Sequence, residues 1–418
     1  MEPVESHHAG AAFRAAEFAA RTSYGRLLAF LSARNGDIAG AEDALSAAFE
    51  AALNSWPQTG IPDKPDAWLL TAARHSLIDL ARHRKRHIDS AIDPEEMMSN
   101  MEAHTPPDTE IPDERLGLLF ACAHPAIEAH SRAPLMLQTV LGFEAGAIAS
   151  AFLVAPAAMS QRLVRAKQKI RLAGIPFVIP GRDVLHERVD SVANAIYAAY
   201  ANGWSDPAGT EPHLMNLAAE AIWLGRVLAS LLPDQPETLG LLALMLYSDA
   251  RRTARRGNGG EYIPLSAQDP ALWHKESIDE AERLLVRAAS FAMPGRFQLE
   301  AALQSAHVVR RHTGSADWHA IVMLYDALLN ITGSPVVAIN RAVALAETDG
   351  PAAGIAGLDA IANRPGIGQY QPYWAARADL LKRSGDTGQA RIAYGHAIGL
   401  ESDQAVRSFL QKQLAEIQ

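Results

Sequence analysis

The stretch that decides the reading is Pro156-Ala157-Ala158-Met159-Ser160-Gln161-Arg162-Leu163-Val164-Arg165-Ala166-Lys167-Gln168-Lys169-Ile170-Arg171. Met159, Leu163, Ala166 and Ile170 recur at spacings of four, three and four, which is one stripe of a helix. Pro156 suits the first helical turn, where its missing N–H is not needed. The rest of the surface carries Arg162, Arg165, Lys167, Lys169 and Arg171 with no acidic residue among them. Just upstream, Gly142-Phe143-Glu144 opens a shorter helix containing Ile148 and Ala149, and Phe152-Leu153-Val154-Ala155 makes the turn between the two. Two short helices on a tight turn predict a helix-turn-helix whose second helix fits a major groove. Ser160, Gln161 and Arg162 lie early enough for base edges, while Arg165, Lys167 and Lys169 suit phosphates.

Outward from this stretch the pattern stays helical. Leu27, Leu28 and Leu31 share a face, and Ala44, Leu45, Ala48, Phe49, Ala52 and Leu53 continue it after a break at Asn35-Gly36-Asp37. Asp37 stands where an N-cap is expected. From Trp56 to Pro65 three prolines and a glycine predict a stiff loop. Such a loop can form a rigid pocket for an extruded base. A helix follows from Asp66, with Trp68, Leu69, Ala72, Leu77 and Leu80 inward and a basic end at Arg82-His83-Arg84-Lys85-Arg86-His87. Residues 92–114 have many acids, several prolines and no Lys or Arg, which reads as an acidic linker. After Gly174-Ile175-Pro176 the remainder reads as helix after helix, with a long Gly-rich loop from Arg255 to Pro270 expected to be mobile. Trp374, Ala378, Leu381, Gly385, Ala390, Tyr394 and Ala397 fit the large and small positions of a tetratricopeptide hairpin. Gly350, Gly354, Leu358 and Ile361 form a weaker copy before it.

Composition agrees with an all-α chain. The 418 residues are 49% apolar but only 6% aromatic, and alanine, the best helix former, is abundant. One cysteine, Cys122, excludes internal disulfides and multi-cysteine zinc sites, and its apolar helix predicts a buried, inert thiol. His124, Glu128 and His130 lack the spacing of a helical zinc pair, so neither metal nor cofactor is expected. No Ser/His/Asp or paired-carboxylate arrangement stands out as catalytic. With no signal peptide and no apolar run long enough for a bilayer, the cytoplasm is the simplest compartment. The net charge of -9 hides strongly basic segments.

The order of helical domain, Pro-rich loop, Trp-led helix with a basic end, acidic linker and helix-turn-helix resembles the extracytoplasmic-function RNA polymerase sigma factors. Gly36-Asp37-Ile38-Ala39-Gly40-Ala41-Glu42-Asp43-Ala44 through Phe49 is similar to the family's polymerase-binding helix. The resemblance implies that Glu42, Asp43, Phe49 and Glu50 meet core polymerase. Lys64-Pro65-Asp66-Ala67-Trp68 through Arg74 is similar to the helix that reads the -10 element. Trp56, Lys64, Arg74, His75, Arg82, Arg84, Lys85 and Arg86 are its implied DNA contacts. Ala149 to Arg171 is similar to the -35 reader, with Ser160, Gln161, Arg162, Arg165, Lys167 and Lys169 at the DNA.

A subgroup with a tetratricopeptide-like extension resembles nearly the whole chain. Phe120-Ala121-Cys122-Ala123-His124-Pro125, Leu224-Gly225-Arg226, Tyr325-Asp326-Ala327-Leu328-Leu329 and Ser334-Pro335-Val336-Val337-Ala338 carry that likeness. The expected parts are 1–91 for polymerase and the -10 element, 92–114 as linker, 115–176 for the -35 element and 177–418 as regulatory extension. Core polymerase and promoter DNA are the implied partners, with a protein or peptide on the extension and no membrane. A helix-turn-helix activator with a helical sensory domain and a repeat scaffold that binds peptides remain as alternatives.

Overall fold

The computed structural model describes residues 3–87, 114–140, 142–151, 154–179, 181–204, 212–313 and 316–417. Among them there are eighteen α-helices and no strand, only an isolated bridge between Arg256 and Tyr262. The fold is all-α, as the periodicity and alanine content require. The linker expected at 92–114 lies outside the described residues up to 113, as do Phe152 and Leu153 of the expected turn. Among the described residues no helix is long and apolar enough to cross a membrane.

The chain divides into two compact units, Met1–Gly203 and Trp204–Gln418. The first begins with α1 (Pro3–Asn35), α2 (Ile38–Thr59) and α3 (Pro65–His87). Gly36, at φ 67°, makes the turn between α1 and α2, and the Asp37 N–H donates to Asn35 Oδ1 at 2.9 Å. Leu27, Leu28, Leu31, Leu45 and Leu69 are fully buried in one core with Ala12, Ala16, Ala19, Ala41, Ala44, Ala48 and Ala52. At the start of α3, Asp66 accepts from Ser23 Oγ at 2.8 Å and Arg26 Nη2 at 2.7 Å, which ties α3 to α1.

The loop expected from Trp56 to Pro65 is shorter. Helix α2 runs through Pro57 to Thr59 and ends where Gly60, at φ 88°, returns its N–H to the Trp56 carbonyl. A proline so near the C-terminus removes a single intrahelical bond. Trp56 is buried and meets Trp68 edge-on, with ring centroids 5.5 Å apart, which holds the last turn in place.

The first unit continues with α4 (Arg115–Cys122), α5 (Ala129–Thr139), α6 (Ala145–Ala151), α7 (Pro156–Leu172) and α8 (Arg182–Trp204). Almost all of α8 clusters with this unit, and Arg188 Nη1 donates to the Phe120 carbonyl at 3.3 Å. The unit therefore closes inside the stretch assigned by sequence to the extension, because α8 buries Leu185, Val189, Val192 and Ile196.

The second unit holds α9 (Pro212–Leu231), α10 (Pro236–Asp249), α11 (Lys275–Ala289), α12 (Arg296–Thr313), α13 (Trp318–Thr332), α14 (Pro335–Asp349), α15 (Pro351–Asp359), α16 (Gln371–Ser384), α17 (Thr387–Leu400) and α18 (Gln404–Ala415). Prolines open α10, α14 and α15, and aspartates cap α13, α17 and α18. Glu237 caps α12 from outside, accepting the Phe297 and Gln298 N–H groups at 2.9 and 3.1 Å. The loop expected to be mobile is pinned instead. Arg256 pairs with Asp403, and Tyr262 packs edge-on against Phe409 at 5.5 Å.

The repeat pattern falls on α16 and α17, with Ala378, Leu381, Ala390, Tyr394 and Ala397 buried and Gly385 left-handed at φ 86°. In the weaker copy Gly354 permits close approach: a Cβ there would lie 2.7 Å from the Ala342 carbonyl oxygen and 2.8 Å from the Ala346 Cβ. Gly354→Ala should therefore lower stability by about 1–3 kcal/mol despite alanine's better helix propensity. Urea unfolding measures this, and an unchanged midpoint would mean that the helices separate freely.

Candidate nucleic-acid interface

Helix α7 buries Met159, Leu163, Ala166 and Ile170, as its periodicity requires. That inward stripe leaves Ser160, Gln161, Arg165 and Lys169 exposed and Arg162 half-buried. Four of the six side chains assigned to this surface thus lie open to solvent on one helix. Without a capping side chain at Ala155, the early N–H groups of α7 remain available to a phosphate.

Lys167 goes elsewhere. Its Nζ donates to both carboxylate oxygens of Glu42, at 2.6 and 2.7 Å, although the two residues lie 125 positions apart. One turn later Arg171 Nη1 lies 3.5 Å from Asp37 Oδ2. Asp37 occupies the N-cap position of α2, yet its side chain makes no capping hydrogen bond. The expectation of a capping Asp37 is corrected to that extent, since its carboxylate faces Arg171.

The acidic side chains of α2 divide the same way. Asp43 and Glu50 are exposed, whereas Glu42 is half-buried under Lys167. Phe49 is half-buried and stacks on Tyr24 with centroids 6.4 Å apart. Burial pushes the Tyr24 phenol up to about 12, with Glu42 and Asp43 adding to the effect. Phe49 is therefore part of the packing as well as of the surface.

At α3, Lys64 and His75 are exposed. Arg82, Arg84, Lys85 and Arg86 fall in the last turns of α3, and their side chains lie outside the described residues. Trp56, assigned to the DNA surface, is buried at the root of the loop. Direct base contact by Trp56 is corrected to a supporting position, because Trp68 covers its ring. Arg74 is half-buried with its guanidinium 5.3 Å above the Phe30 ring, which Arg34 also covers at 3.4 Å. Burial, and then the nearby Arg34 charge, hold Arg74 below the usual guanidinium range. Arg34 in turn lies 3.7 Å from Glu114, the residue before α4.

The ion pairs across α2 and α7, and the Arg34–Glu114 pair, were not legible in the sequence. The i,i+4 spacing of Lys167 and Arg171 marks a shared ridge, but nothing local names its partners. Beneath lies Cys122, fully buried with Sγ 3.6 Å from Thr139 Oγ1.

Residues 20–87, covering the second half of α1 and all of α2 and α3, match the model of Sigma-70 region 2. Residues 188–289 match a family of unknown function, DUF6596. An uncharacterized protein of Rhizobium meliloti (strain 1021) is 37% identical over 387 residues, covering 91% of this chain and 90% of that one. No solved structure matches the chain.

Burial pushes the Cys122 thiol up to about 12. At pH 8 the folded chain then holds very little thiolate, which is the reactive form. Alkylation of the folded protein by iodoacetamide should be undetectable over an hour and complete in denaturant, as read by mass spectrometry. Rapid labelling without denaturant would mean that this core opens readily.

Proposed function

The chain belongs to one family with the Rhizobium meliloti protein and carries a Sigma-70 region 2 domain, and from that premise we propose that it is an RNA polymerase sigma factor of the extracytoplasmic-function type. The region 2 match supports a sigma-factor role, with core RNA polymerase and promoter DNA as partners, and it is the observation that carries the reading. In this reading α2 docks on core polymerase through Asp43 and Glu50, with Glu42 and Phe49 behind them. Helix α3 and the loop before it engage the -10 element through Lys64, Arg74, His75, Arg82, Arg84, Lys85 and Arg86. Helix α7 is the second helix of a helix-turn-helix that reads the -35 element. Its exposed row of Ser160, Gln161, Arg165 and Lys169, with Arg162 beside it, supports this assignment. The residues after α8 form a tetratricopeptide-like regulatory extension for a protein or peptide partner. The buried small and large positions of α16 and α17 support that part.

Reconstitution with core polymerase and a promoter library tests the proposal, with transcription from a defined promoter class as the expected result. Binding of DNA without any binding of core polymerase would replace it with an activator. Asp43→Arg/Glu50→Arg should weaken the core complex about tenfold or more, because a reversed charge at an interface is repelled. Phe49 is kept intact in this variant, since its loss would also disturb the packing on Tyr24. Undiminished core affinity would place the docking face off α2.

On DNA, Arg162→Ala should lose about 1–3 kcal/mol of discrimination at one base pair. Lys169→Ala should weaken all sequences alike and lower the salt slope by about one. Identical specificity profiles for the two variants would refute this division of labour.

A further inference from the structure

The residues that match the family of unknown function contain an open cleft that the sigma-factor reading does not use. It measures about 530 Å³, the scale of small-molecule sites, and lies between the end of α10 and the first turn of α11. We propose that this cleft binds a small monocarboxylic acid with a compact apolar body, the carboxylate at Lys275 and the body against Leu272. Binding here is independent of the sigma-factor reading, since it needs neither polymerase nor DNA.

The walls are fixed before any ligand arrives. Thr253 Oγ1 donates to the Leu272 carbonyl at 3.0 Å, and the His274 N–H donates to the Ala250 carbonyl at 2.9 Å. The segment that leads into α11 is thereby tied to the segment that leaves α10. Asp269 accepts the Ala271 N–H at 2.9 Å and caps the short turn Pro270–Leu272. His274 Nδ1 accepts the Ser277 N–H at 3.3 Å and caps α11. A wall held by caps and cross-links loses little conformational freedom when a ligand enters.

Between the two caps, Trp273 and Leu272 part ways. The indole is 5% exposed and anchors the segment, whereas Leu272 is 56% exposed. A single open leucine on a convex surface means little. Here it stands in a preformed hollow that Ala250 and Trp273 also line. An apolar body laid in that hollow removes the leucine side chain from water, which favours binding.

Charge selects the other end of the ligand. Of the side chains that line the cleft, Arg252 and Lys275 are cationic and Asp249 is acidic. Arg252 Nε donates to Asp249 Oδ1 at 2.9 Å, so that pair balances itself. His274 brings no charge while its Nδ1 accepts an N–H. Lys275, exposed at the first position of α11, is left as the unbalanced charge of the lining. A monoanion matches that excess, and a cation is repelled by it.

Ligand-observed NMR titration of the full-length chain with benzoate tests the assignment. Benzoate should bind with a dissociation constant of about a millimolar, the range open to so small a ligand. Acetate, which lacks the apolar body, and benzyl alcohol, which lacks the charge, should each bind about tenfold more weakly. Lys275→Glu should weaken benzoate about tenfold and leave benzyl alcohol unchanged, and Leu272→Ser should weaken both about fivefold. Lys412→Glu, which reverses an exposed cation on α18, should leave benzoate binding as in the parent. Leu272 and Lys275 are both exposed, so neither replacement opens a core, and circular dichroism establishes that each variant is folded. No benzoate binding at about 20 mM overturns the site. Equal binding by the parent and folded Lys275→Glu, or equal loss in Lys412→Glu, overturns it as well. Acetate binding as tightly as benzoate overturns the ligand class.

Discussion

The first unit depends on how closely its helices can lie. Its core is lined by Ala12, Ala16, Ala19, Ala41, Ala44, Ala48 and Ala52, each offering a single methyl group. An alanine buries little area, so cohesion comes from the many dispersion contacts that short separations allow. The larger side chains, Leu27, Leu28, Leu31, Leu45, Trp56 and Leu69, fill what the alanines leave. At Gly25 even a methyl would collide with the Val140 carbonyl, so the distance between α1 and the end of α5 is set by backbone against backbone. Larger side chains along this seam would push α7 away from α2, and Lys167 could not reach Glu42.

That geometry redistributes the charge of the molecule. The chain as a whole is acidic, at -9, while α7 carries five cations and no acid. Two of the five, Lys167 and Arg171, face acids of α2, and Arg165 and Lys169 stay exposed. Net charge therefore says little about which phosphates the protein can meet. The partition of cations between internal partners and solvent decides it, and packing sets that partition.

Much of this was legible in the sequence where the physics is local. The stripe Met159, Leu163, Ala166 and Ile170 is buried as its spacing requires, and Gly36, at the break expected between the first two helices, takes a φ of 67° there. Cys122 is buried, as its apolar setting implied. Local rules failed where a distant residue intervened. Pro57 stays within α2 because Trp56 is covered by Trp68, twelve residues after it. Trp56, placed at the DNA by the family resemblance, has neighbours that announce a loop, and only the tertiary contact makes it core. Asp37 satisfies every local requirement of an N-cap yet faces Arg171, 134 positions away. The loop after α10 has a mobile composition but is held by Asp403 and Phe409 of the last helix. In each case sequence spacing gave the element, and long-range pairing reassigned the side chain.

The Trp56–Trp68 contact carries one more consequence. Trp56 is buried to 1% exposure, and its indole Nε1 has no hydrogen-bond partner among the described residues. An indole in so apolar a setting emits at the blue end of its range. The neighbouring ring of Trp68, at 5.5 Å and tilted by 70°, couples to it electronically. The two rings bracket the loop of residues 60–64, so the near-ultraviolet spectrum of the unmodified chain contains a built-in optical gauge of that loop. A ligand that parts the end of α2 from the start of α3 changes the coupling of the two rings, and with it the light they absorb and emit.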